Sequence, residues 1–502
     1  MRSSSRPHPA NPSRRTGIEE SLDPSDWAAM RRLGHRMVDD MMDYLMSVRD
    51  RPVWRPVPDE VKRGLRRPLP QDPEAPERIY EDFLRDVLPY PLGNIHPRFW
   101  GWVCGTGTPL GMLAEMLAAG MNPNLAGANH VANYVEGQVL QWCKEMLGYP
   151  QQASGILVSG CSMANLIGLA VARNAMAGFD VRRDGLQDSP KPIVFYSSVE
   201  AHSSIQKAVE LLGLGSSFLR RIAVDDEFQI DVGSLRSAVS RDREEGYRPG
   251  CVIGNAGTIN TGAIDDLDGL ADLCRQEGLW FHVDGAFGAL AALSPRLRPL
   301  VSGLEKADSL AFDFHKWMYM PIEIGCVLVK NEADHRRAFS IVEGYLAHEE
   351  TGLAGGAPWF HEYGPQLTRG FRALKAWMSI REHGARRYGR LIRQNVEQAR
   401  YLAQLVDGSR ELERLAPVAL NIVCFRFRDA PGNLDLDAVN REIFHVLTEE
   451  GIAVPSYATI SGKYCLRVAI TNHRSRREDF DLFVREVIRI GKEIIRKGRS
   501  GG

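Results

Sequence analysis

The feature that most constrains the fold is a regular alternation of short apolar runs and helix-like stretches between Ser154 and Val329. Each run is too short for a helix and is apolar on both faces, as in a strand buried on both sides. Strands that alternate with helices in this way build a mostly parallel sheet covered by helices on both faces. The runs are Gly155 to Val158, Ile193 to Tyr196, Cys251 to Gly254, Leu279 to Val283, Ser309 to Phe312 and Cys326 to Val329. The sequence therefore predicts an α/β fold.

Ligands bind such sheets at the carboxyl ends of the strands, so the residues that follow each run are the candidates for chemistry. After Val158 comes SGCSMANL, in which a turn of small residues leads directly into a helix. The free N–H groups at the start of that helix form a cradle for a phosphate, and the hydroxyl of Ser162 adds a further contact. The alternative is an ordinary turn between a strand and a helix.

Other strand ends carry polar side chains that suit a flat, charged ligand. His202 begins a helix, where its imidazole either stacks on a ligand or has a structural role. Asp284 ends an apolar strand, and a buried carboxylate there needs a cationic partner unless it caps a turn. A loop rich in Gly, Asn and Thr contributes the hydroxyls of Thr258 and Thr261.

One lysine, Lys316, lies in a run that is otherwise mostly apolar and aromatic, next to Phe314 and Trp317. Most lysines are surface charges, but a buried amine pairs with a carboxylate, loses its proton or forms a covalent bond. A deprotonated lysine is the group that reacts with an aldehyde. A phosphate cradle, a stacking ring, a carboxylate for a ring nitrogen and such a lysine are what pyridoxal phosphate (PLP) requires. The sequence therefore predicts PLP bound to Lys316.

The motifs HPRFWGW, SGCSMANL, EAHSSIQKA, NAGTINTGAIDDL, HVDGAFGA and DFHKW occur in this order along the chain. From about Met30 to Ile495 the chain resembles the group II PLP-dependent amino-acid decarboxylases, which include aromatic-L-amino-acid, histidine and glutamate decarboxylases. The resemblance implies the aspartate-aminotransferase-like fold type I, with a mostly parallel seven-stranded sheet and a small C-terminal α+β domain. It implies decarboxylation of an L-amino acid to an amine and CO2. An aminotransferase or an oxygen-dependent aldehyde synthase on the same fold is the alternative.

The resemblance also implies roles for individual residues. Lys316 corresponds to the lysine that binds the cofactor, Asp284 to the partner of the pyridine nitrogen and His202 to the residue stacked on the ring. Ala286 is expected under the ring, and His315 is expected close to the reacting carbons. The expected cofactor contacts are Gly160, Cys161, Ser162, His202, Thr258, Asp284, Ala286, Asp313, His315 and Lys316.

The chain departs from the family pattern at positions that touch the cofactor. Asp313 and Phe314 stand where the aromatic enzyme has Asn and Pro, and Ile259 replaces a second threonine, which puts both contacts in question. In relatives, a loop closes over the site and presents a tyrosine for decarboxylation, or a phenylalanine for conversion to an aldehyde. Tyr345 lies 29 residues after Lys316, where that residue is expected, in a long Gly-rich stretch that favours a mobile loop.

The substrate pocket is less sharply defined. Trp102 supplies one ring, whereas Asn94, Val103 and Ala126 are smaller than the Trp, Phe and Phe of the aromatic enzyme. Arg467 is a candidate for holding a carboxylate or the loop. We expect an aromatic L-amino acid as the substrate, and an acidic or otherwise polar amino acid is the alternative.

The remaining expectations concern organisation. We expect a disordered tail at residues 1–22, a helical arm at 23–90 that packs on a partner subunit, a large PLP-binding domain at 91–365 and a small domain at 366–502. Helices are predicted from Trp27 to Val48, from Val131 to Leu147 and from Leu367 to Glu382, with a further long helix after the last. We expect a homodimer with active sites at the subunit interface.

Composition limits the partners and the compartment. A net charge of −1 gives no electrostatic signature for nucleic acid or an anionic membrane, and no apolar run reaches the length of a membrane span. The eight cysteines are scattered, with no metal-binding spacing, which predicts reduced core thiols and a cytoplasmic enzyme without a metal.

Overall fold

The structure is a computed structural model that describes residues 21–500, apart from 188, 190, 342–348, 357 and 430–433. Tyr345 and nearly all of the predicted tail lie outside the described residues. The described chain contains a large α/β part built on one sheet and a smaller α+β part built on a second sheet. The first sheet carries the candidate site, and the second packs beside it.

The N-terminal segment is a helical arm. Helix α1 (Trp27–Met46) begins after Asp26, whose carboxylate accepts hydrogen bonds from the N–H groups of Ala28 and Ala29. The helix predicted from Trp27 to Val48 is confirmed, with its end two residues earlier. A proline-rich connector leads to α2 (Asp59–Gly64) and α3 (Pro76–Asp82), and α3 continues as a π-helical turn, Phe83–Val87.

The large sheet has seven strands in the order β1-β7-β6-β5-β4-β2-β3. They are β1 (Ser154–Val158), β2 (Ile193–Ser198), β3 (Leu219–Ile222), β4 (Arg248–Asn255), β5 (Trp280–Asp284), β6 (Ser309–Asp313) and β7 (Gly325–Val329). Strand β7 runs antiparallel to both its neighbours, and the other pairs are parallel. The predicted fold class is confirmed, and six of these strands correspond to the apolar runs of the sequence.

Helices cover this sheet on both faces. They are α4 (Pro109–Met121), α5 (Val131–Leu147), α6 (Cys161–Met176), α7 (Val181–Asp184), α8 (Ser203–Leu211), α9 (Val232–Glu244), α10 (Leu267–Glu277), α11 (Phe314–Trp317) and α12 (Glu332–Phe339). Short 3-10 turns lie at Val48–Asp50, Ser216–Phe218, Gly288–Leu293, Arg298–Val301, Leu304–Lys306 and Phe360–Tyr363. Helix α5 has the predicted bounds. Helix α6 lies directly against the sheet, and most of its residues are buried.

The smaller part has a four-stranded antiparallel sheet in the order β10-β11-β9-β8. Its elements are α13 (Arg372–Asp407), β8 (Leu412–Arg414), β9 (Ile422–Phe427), α14 (Leu436–Glu449), β10 (Ser456–Ile460), β11 (Lys463–Ala469) and α15 (Arg477–Ser500). The prediction of a helix starting at Leu367 is wrong by one turn, since α13 begins at Arg372. The prediction of two successive helices is confirmed, because Gly384, whose φ of 68° is not helical, separates two helices at a kink within α13.

The segment that contains the HPRFWGW motif joins the two parts. Trp100 is buried and stacks on Phe480 of α15 at a ring distance of 4.9 Å, and its indole N–H donates to Ser475 Oγ. All eight cysteines are free, and all but Cys104 are buried. Within the described ranges, no helix has the length and apolar character needed to cross a bilayer, and no three potential metal ligands converge.

Candidate active site

The site lies at the carboxyl ends of β2, β4, β5 and β6, beside the turn where the edge strand β1 passes into α6. Gly160 caps α6, and no side chain satisfies the first N–H groups of that helix. Gly325 lies so close to this turn that a Cβ atom on it would stand 2.7 Å from Gly160 Cα and 2.6 Å from Asp313 Oδ1. Only glycine fits at such a contact, so the turn, β6 and β7 are locked together.

Lys316 lies on α11, immediately after β6. Its ammonium nitrogen is 2.8 Å from Asp313 Oδ2, and His315 Nε2 is 3.7 Å from the same oxygen. Burial is the largest single effect on the pKa of Lys316 and lowers it, but the charge of Asp313 and the hydrogen bond to it, together with Cys161 and Asp284, outweigh burial and raise that pKa above its usual value. The sequence predicted a deprotonated amine at this position, whereas the carboxylate beside it favours the ammonium form.

Asp284 ends β5 and is almost fully buried. Its carboxylate accepts hydrogen bonds from Asn165 Nδ2 at 2.9 Å, from the Ala286 N–H at 3.1 Å and from the Cys161 thiol at 3.5 Å. These donors are all neutral, so they orient the carboxylate without supplying the positive charge that a buried anion favours.

His202 precedes α8, and its ring is exposed toward the cavity. Its Nδ1 accepts a hydrogen bond from the Ser204 N–H at 3.2 Å and lies 2.9 Å from Ser204 Oγ. Burial lowers the pKa of His202, which favours the neutral imidazole.

These groups border one cavity of about 240 Å³. Its lining residues are Trp102, Val103, Cys161, Ser162, Asn165, His202, Ser204, Asn255, Gly257, Thr258, Ile259, Asp284, Ala286, Phe287 and Lys316. The structure thus brings together most of the side chains singled out from the sequence. Gly160, Asp313 and His315 lie behind Lys316 and do not line the cavity. Three other predicted residues are also outside the lining, namely Asn94, Ala126 and Arg467.

Several predicted residues act on the cavity through their neighbours. Arg467 is buried and donates to the carbonyl of Trp102 at 2.8 Å and to that of Asn260 at 3.2 Å. Burial lowers its pKa to about 10. Asn94 donates to the carbonyl of Gly105 at 2.8 Å, and a Cβ atom on Gly105 would overlap the backbone oxygen of His315. Both side chains therefore fix loops that border the cavity.

Thr258 and Trp102 occupy constrained positions. The Thr258 hydroxyl lies 3.0 Å from that of Thr261 and accepts from the Ala263 N–H, so this loop is closed on itself. Trp102 has a φ of 52°, a left-handed conformation that is costly for a bulky residue, and its side chain is 56% exposed. The hydrogen bond from Arg467 holds the strained Trp102 backbone in place.

Sequence reasoning missed Asn165 and His282. Asn165 Oδ1 lies 3.0 Å from His282 Nε2, and both residues are fully buried. The signal was present, because SGCSMANL and HVDGAFGA each place a polar side chain where an apolar one is expected. Only the fold shows that the two polar residues meet.

A larger groove of about 720 Å³ lies elsewhere, between α5 and α13. Its polar lining consists largely of arginines, with Glu145 and Ser294, and no lysine or histidine borders it. This lining does not combine an amine, an imidazole and a carboxylate, so the smaller cavity is the candidate site.

The donor set of the small cavity fits PLP. An amine for the aldehyde, a buried carboxylate with neutral donors only, a cavity-facing imidazole and an uncapped helix start match the four parts of that molecule. The residues that would hold it are Lys316, Asp284, His202 and the turn from Gly160 to Ser162.

The comparisons with known proteins agree with this geometry. Residues 58–428 match the pyridoxal-dependent decarboxylase conserved domain. An aromatic-L-amino-acid decarboxylase of Bacillus atrophaeus is 32% identical over 472 residues, which cover 93% of this chain and 96% of that protein. A phenylacetaldehyde synthase of Arabidopsis thaliana is 30% identical over 468 residues, covering 90% and 94%.

A solved structure shows the same fold. The tryptophan decarboxylase of Catharanthus roseus in complex with L-tryptophan superposes with a TM-score of 0.84 at 26% identity, covering 94% of this chain and 100% of that one. The match extends over both sheets, because almost the whole chain takes part in it. The chain belongs to the pyridoxal-dependent decarboxylase family, and PLP is its cofactor.

Proposed function

We propose that this enzyme decarboxylates an aromatic L-amino acid to the corresponding amine and CO2, with the cofactor bound through Lys316. The observation that carries the proposal is that Lys316, Asp284, His202 and Trp102 border one cavity. The names of the relatives support the substrate class, since they include an aromatic-L-amino-acid decarboxylase and a tryptophan decarboxylase.

Each side chain of the cavity has a distinct task. When bound, PLP supplies an electron sink for the pair of electrons that CO2 leaves behind. Asp284 would pair with the ring nitrogen, and the hydrogen bonds from Asn165 and from the Ala286 N–H orient its carboxylate for that contact. His202 and Ala286 would hold the ring from its two faces, while the N–H groups of Gly160 to Ser162 and the Ser162 hydroxyl would bind the phosphate.

Asp313 acts on Lys316 rather than on the phosphate. Its Oδ2 binds the lysine nitrogen, and its Oδ1 is buried with no hydrogen-bond partner among the described residues. A second anion beside a phosphate would be repelled, whereas an anion beside the displaced lysine holds the ammonium in place. His315, close to the same oxygen, is positioned to exchange a proton with this pair.

Trp102 and Arg467 define the substrate side. An indole or phenol stacks on the exposed ring of Trp102, with Val103 packed beside it. Arg467 positions that ring through the Trp102 carbonyl, and its Nη2 has no partner in the described chain. We propose that Nη2 attracts the substrate carboxylate, and that Asn94 shapes the pocket through Gly105. An acidic or polar substrate is the alternative, because the pocket is less aromatic than in the aromatic enzyme.

Tyr345 decides between two outcomes of the reaction. A tyrosine at this position returns a proton to the α-carbon and gives the amine, with His315 as the alternative donor. The aldehyde-forming activity named in one relative is the second candidate, and the tyrosine in this chain favours the amine.

We propose a homodimer with its active sites at the subunit interface. Large apolar side chains are exposed on one chain at the arm and around α4 and α5, namely Trp27, Met46, Met116, Leu117, Met121, Val131 and Tyr134. Large apolar side chains exposed in this way favour burial in a subunit interface, and we propose that a second copy of the chain covers them. The arm at 23–90, the PLP-binding domain at 91–365 and the small domain at 366–502 are the units we propose. Free, buried cysteines support a reducing, cytoplasmic location.

The deciding experiment is an assay of the purified enzyme with PLP and pooled L-amino acids, with amines detected by mass spectrometry. We expect tyramine, tryptamine or phenethylamine without added 2-oxo acid, and no product from Lys316→Ala. Amine formation from glutamate or aspartate alone would overturn the aromatic assignment. A requirement for a 2-oxo acid would indicate transamination.

A further inference from the structure

A continuous hydrogen-bonded network lies under the cavity, behind Asp284. Trp280 Nε1 donates to Ser309 Oγ at 2.8 Å, and Ser309 Oγ lies 2.7 Å from His282 Nδ1. His282 Nε2 lies 3.0 Å from Asn165 Oδ1. These side chains come from β5, β6 and α6, and all of them are buried.

Asn165 is the branch point of this network. Its Nδ2 donates one hydrogen to Asp284 Oδ2 at 2.9 Å and the other to Ser204 Oγ at 3.2 Å. Ser204 Oγ in turn lies 2.9 Å from His202 Nδ1. One amide group thus contacts both the carboxylate of Asp284 and the residue that orients His202.

The direction of every hydrogen bond follows from the chemistry of the two ends. The Asp284 carboxylate accepts from Nδ2 of Asn165, so Oδ1 of the same amide faces His282. His282 must then carry its hydrogen on Nε2, and its Nδ1 accepts from the Ser309 hydroxyl. Trp280 can only donate, and it donates to the same hydroxyl, so the chain closes with no conflict.

The same logic fixes His202. The backbone N–H of Ser204 donates to Nδ1 of His202, so that nitrogen carries no hydrogen. The Ser204 hydroxyl accepts from Asn165 and donates to Nδ1. A neutral His202 therefore carries its hydrogen on Nε2.

Packing holds His282 in this place. A Cβ atom on Gly168 of α6 would stand 2.7 Å from His282 Cε1 and 2.9 Å from Nδ1. Glycine inside a helix is destabilising relative to alanine. The helix thus contains a glycine at the position where the imidazole needs space. Burial lowers the pKa of His282 to about 4, which keeps the ring neutral.

We infer that Asn165 is a positioning residue of the cofactor site, which orients both Asp284 and His202 and is itself held in one amide orientation by His282. The inference rests on the cofactor contacts proposed above for Asp284 and His202. Losing Asn165 removes a donor from Asp284 and another from Ser204, the residue that orients His202. Both the affinity for PLP and the pH dependence of the absorbance of bound PLP should therefore change.

The test measures the PLP dissociation constant and the pH dependence of the visible absorbance of the bound cofactor. Asn165→Leu should raise the dissociation constant about tenfold or more, since a hydrogen bond to a charged group is lost. His282→Gln keeps an N–H near the place of Nε2 and should behave like the parent enzyme. His282→Asn loses the contact to Asn165 and should follow Asn165→Leu, including a shift in the absorbance midpoint.

Two reference variants separate the possible failures. Asn440→Leu removes a buried asparagine of the small domain, which bonds Phe427 and Leu436, and should lower thermal stability without changing PLP affinity. Asp284→Ala should lose PLP, and if it retains PLP the proposed cofactor site is itself wrong. The positioning role of Asn165 is overturned if Asp284→Ala loses PLP while His282→Asn and His282→Gln have the same dissociation constant for PLP. This pair decides even if Asn165→Leu does not fold.

Discussion

The nitrogen of Lys316 lies 2.8 Å from Asp313 Oδ2, three residues earlier in the chain. The pair arises because β6 ends at Asp313 and α11 begins at the next residue, so one helical turn places both side chains on the same side. The resemblance to the aromatic enzyme implies asparagine at this position, and this chain has a carboxylate instead. The carboxylate stabilises the ammonium form of the lysine that must react with the cofactor.

The first prediction concerns Asp313→Asn. The negative charge raises the pKa of Lys316, so the neutral amine that attacks the aldehyde is scarce and becomes more abundant as pH rises. Without that charge the pKa falls, and apoenzyme should capture PLP about tenfold faster near neutral pH, with a flatter pH dependence. The rise of visible absorbance after mixing apoenzyme with PLP measures this rate.

The matched control is Asp242→Asn, which removes a buried carboxylate far from the cavity that pairs with Arg220 and Tyr196. It should leave the capture rate and its pH profile unchanged. If Asp313→Asn instead tightens inorganic phosphate binding and leaves the capture profile as it was, Asp313 faces the phosphate and the lysine role is wrong.

The second prediction concerns Trp102→Ala. The exposed indole borders the cavity, and stacking on it contributes about 0.5–1.5 kcal/mol beyond the area that it buries. KM for an aromatic substrate should therefore rise about tenfold, and Trp102→Phe should recover most of the loss. Trp142→Ala, in the distant groove, is the control for KM. An equal loss for aromatic and aliphatic substrates would contradict a stacking role.

The sequence predicted the strands that are apolar on both faces, because burial in the centre of a sheet leaves a strong signal. The missed strand is β3 (Leu219–Ile222), at the edge of the sheet, where Arg220 and Arg221 interrupt the apolar pattern. The start of α13 was predicted too early because Leu367 continues its apolar spacing. In the structure, the residues before Gly370 are not helical, and the helix begins at Arg372.

The functional side chains that follow the strands could be predicted, because a sheet of this kind binds its ligands at the carboxyl ends of the strands. The contacts of Asn165 could not be predicted, because its partners, His282 and Ser204, are 117 and 39 residues away in the chain. The protonation of Lys316 was also beyond sequence reasoning. It depends on a distance to Asp313 that only the turn between β6 and α11 sets.

The third prediction concerns Tyr345→Phe. Loss of the hydroxyl removes the proposed proton donor, so amine formation should slow by about 100-fold, in the range ascribed to one acid–base group. Oxygen and water then convert the amino acid to aldehyde, CO2, ammonia and hydrogen peroxide. Product analysis with a peroxide assay measures the partition, and anaerobic incubation is the control. Unchanged amine formation would show that another group, with His315 the next candidate, supplies the proton.

The last prediction concerns a buried ion pair that supports the strand leading into the turn from Gly160 to Ser162. Glu136 of α5 bonds Arg369, and both are fully buried. Arg369 also donates to the carbonyls of Leu125 and Leu157, and Leu157 lies just before the turn at Gly160. Glu136→Ala leaves the guanidinium charge buried alone and should lower the free energy of unfolding by about 3–5 kcal/mol. The double variant Glu136→Leu with Arg369→Met should recover much of that loss, because no unpaired charge remains.

Urea unfolding of the apoenzyme measures the free energy of unfolding of both variants. Lys62→Ala, which removes one partner of an exposed pair with Asp59, is the control that should change little. A double variant as unstable as Glu136→Ala would mean that the hydrogen bonds of Arg369 to the backbone, rather than its charge balance, hold this region together.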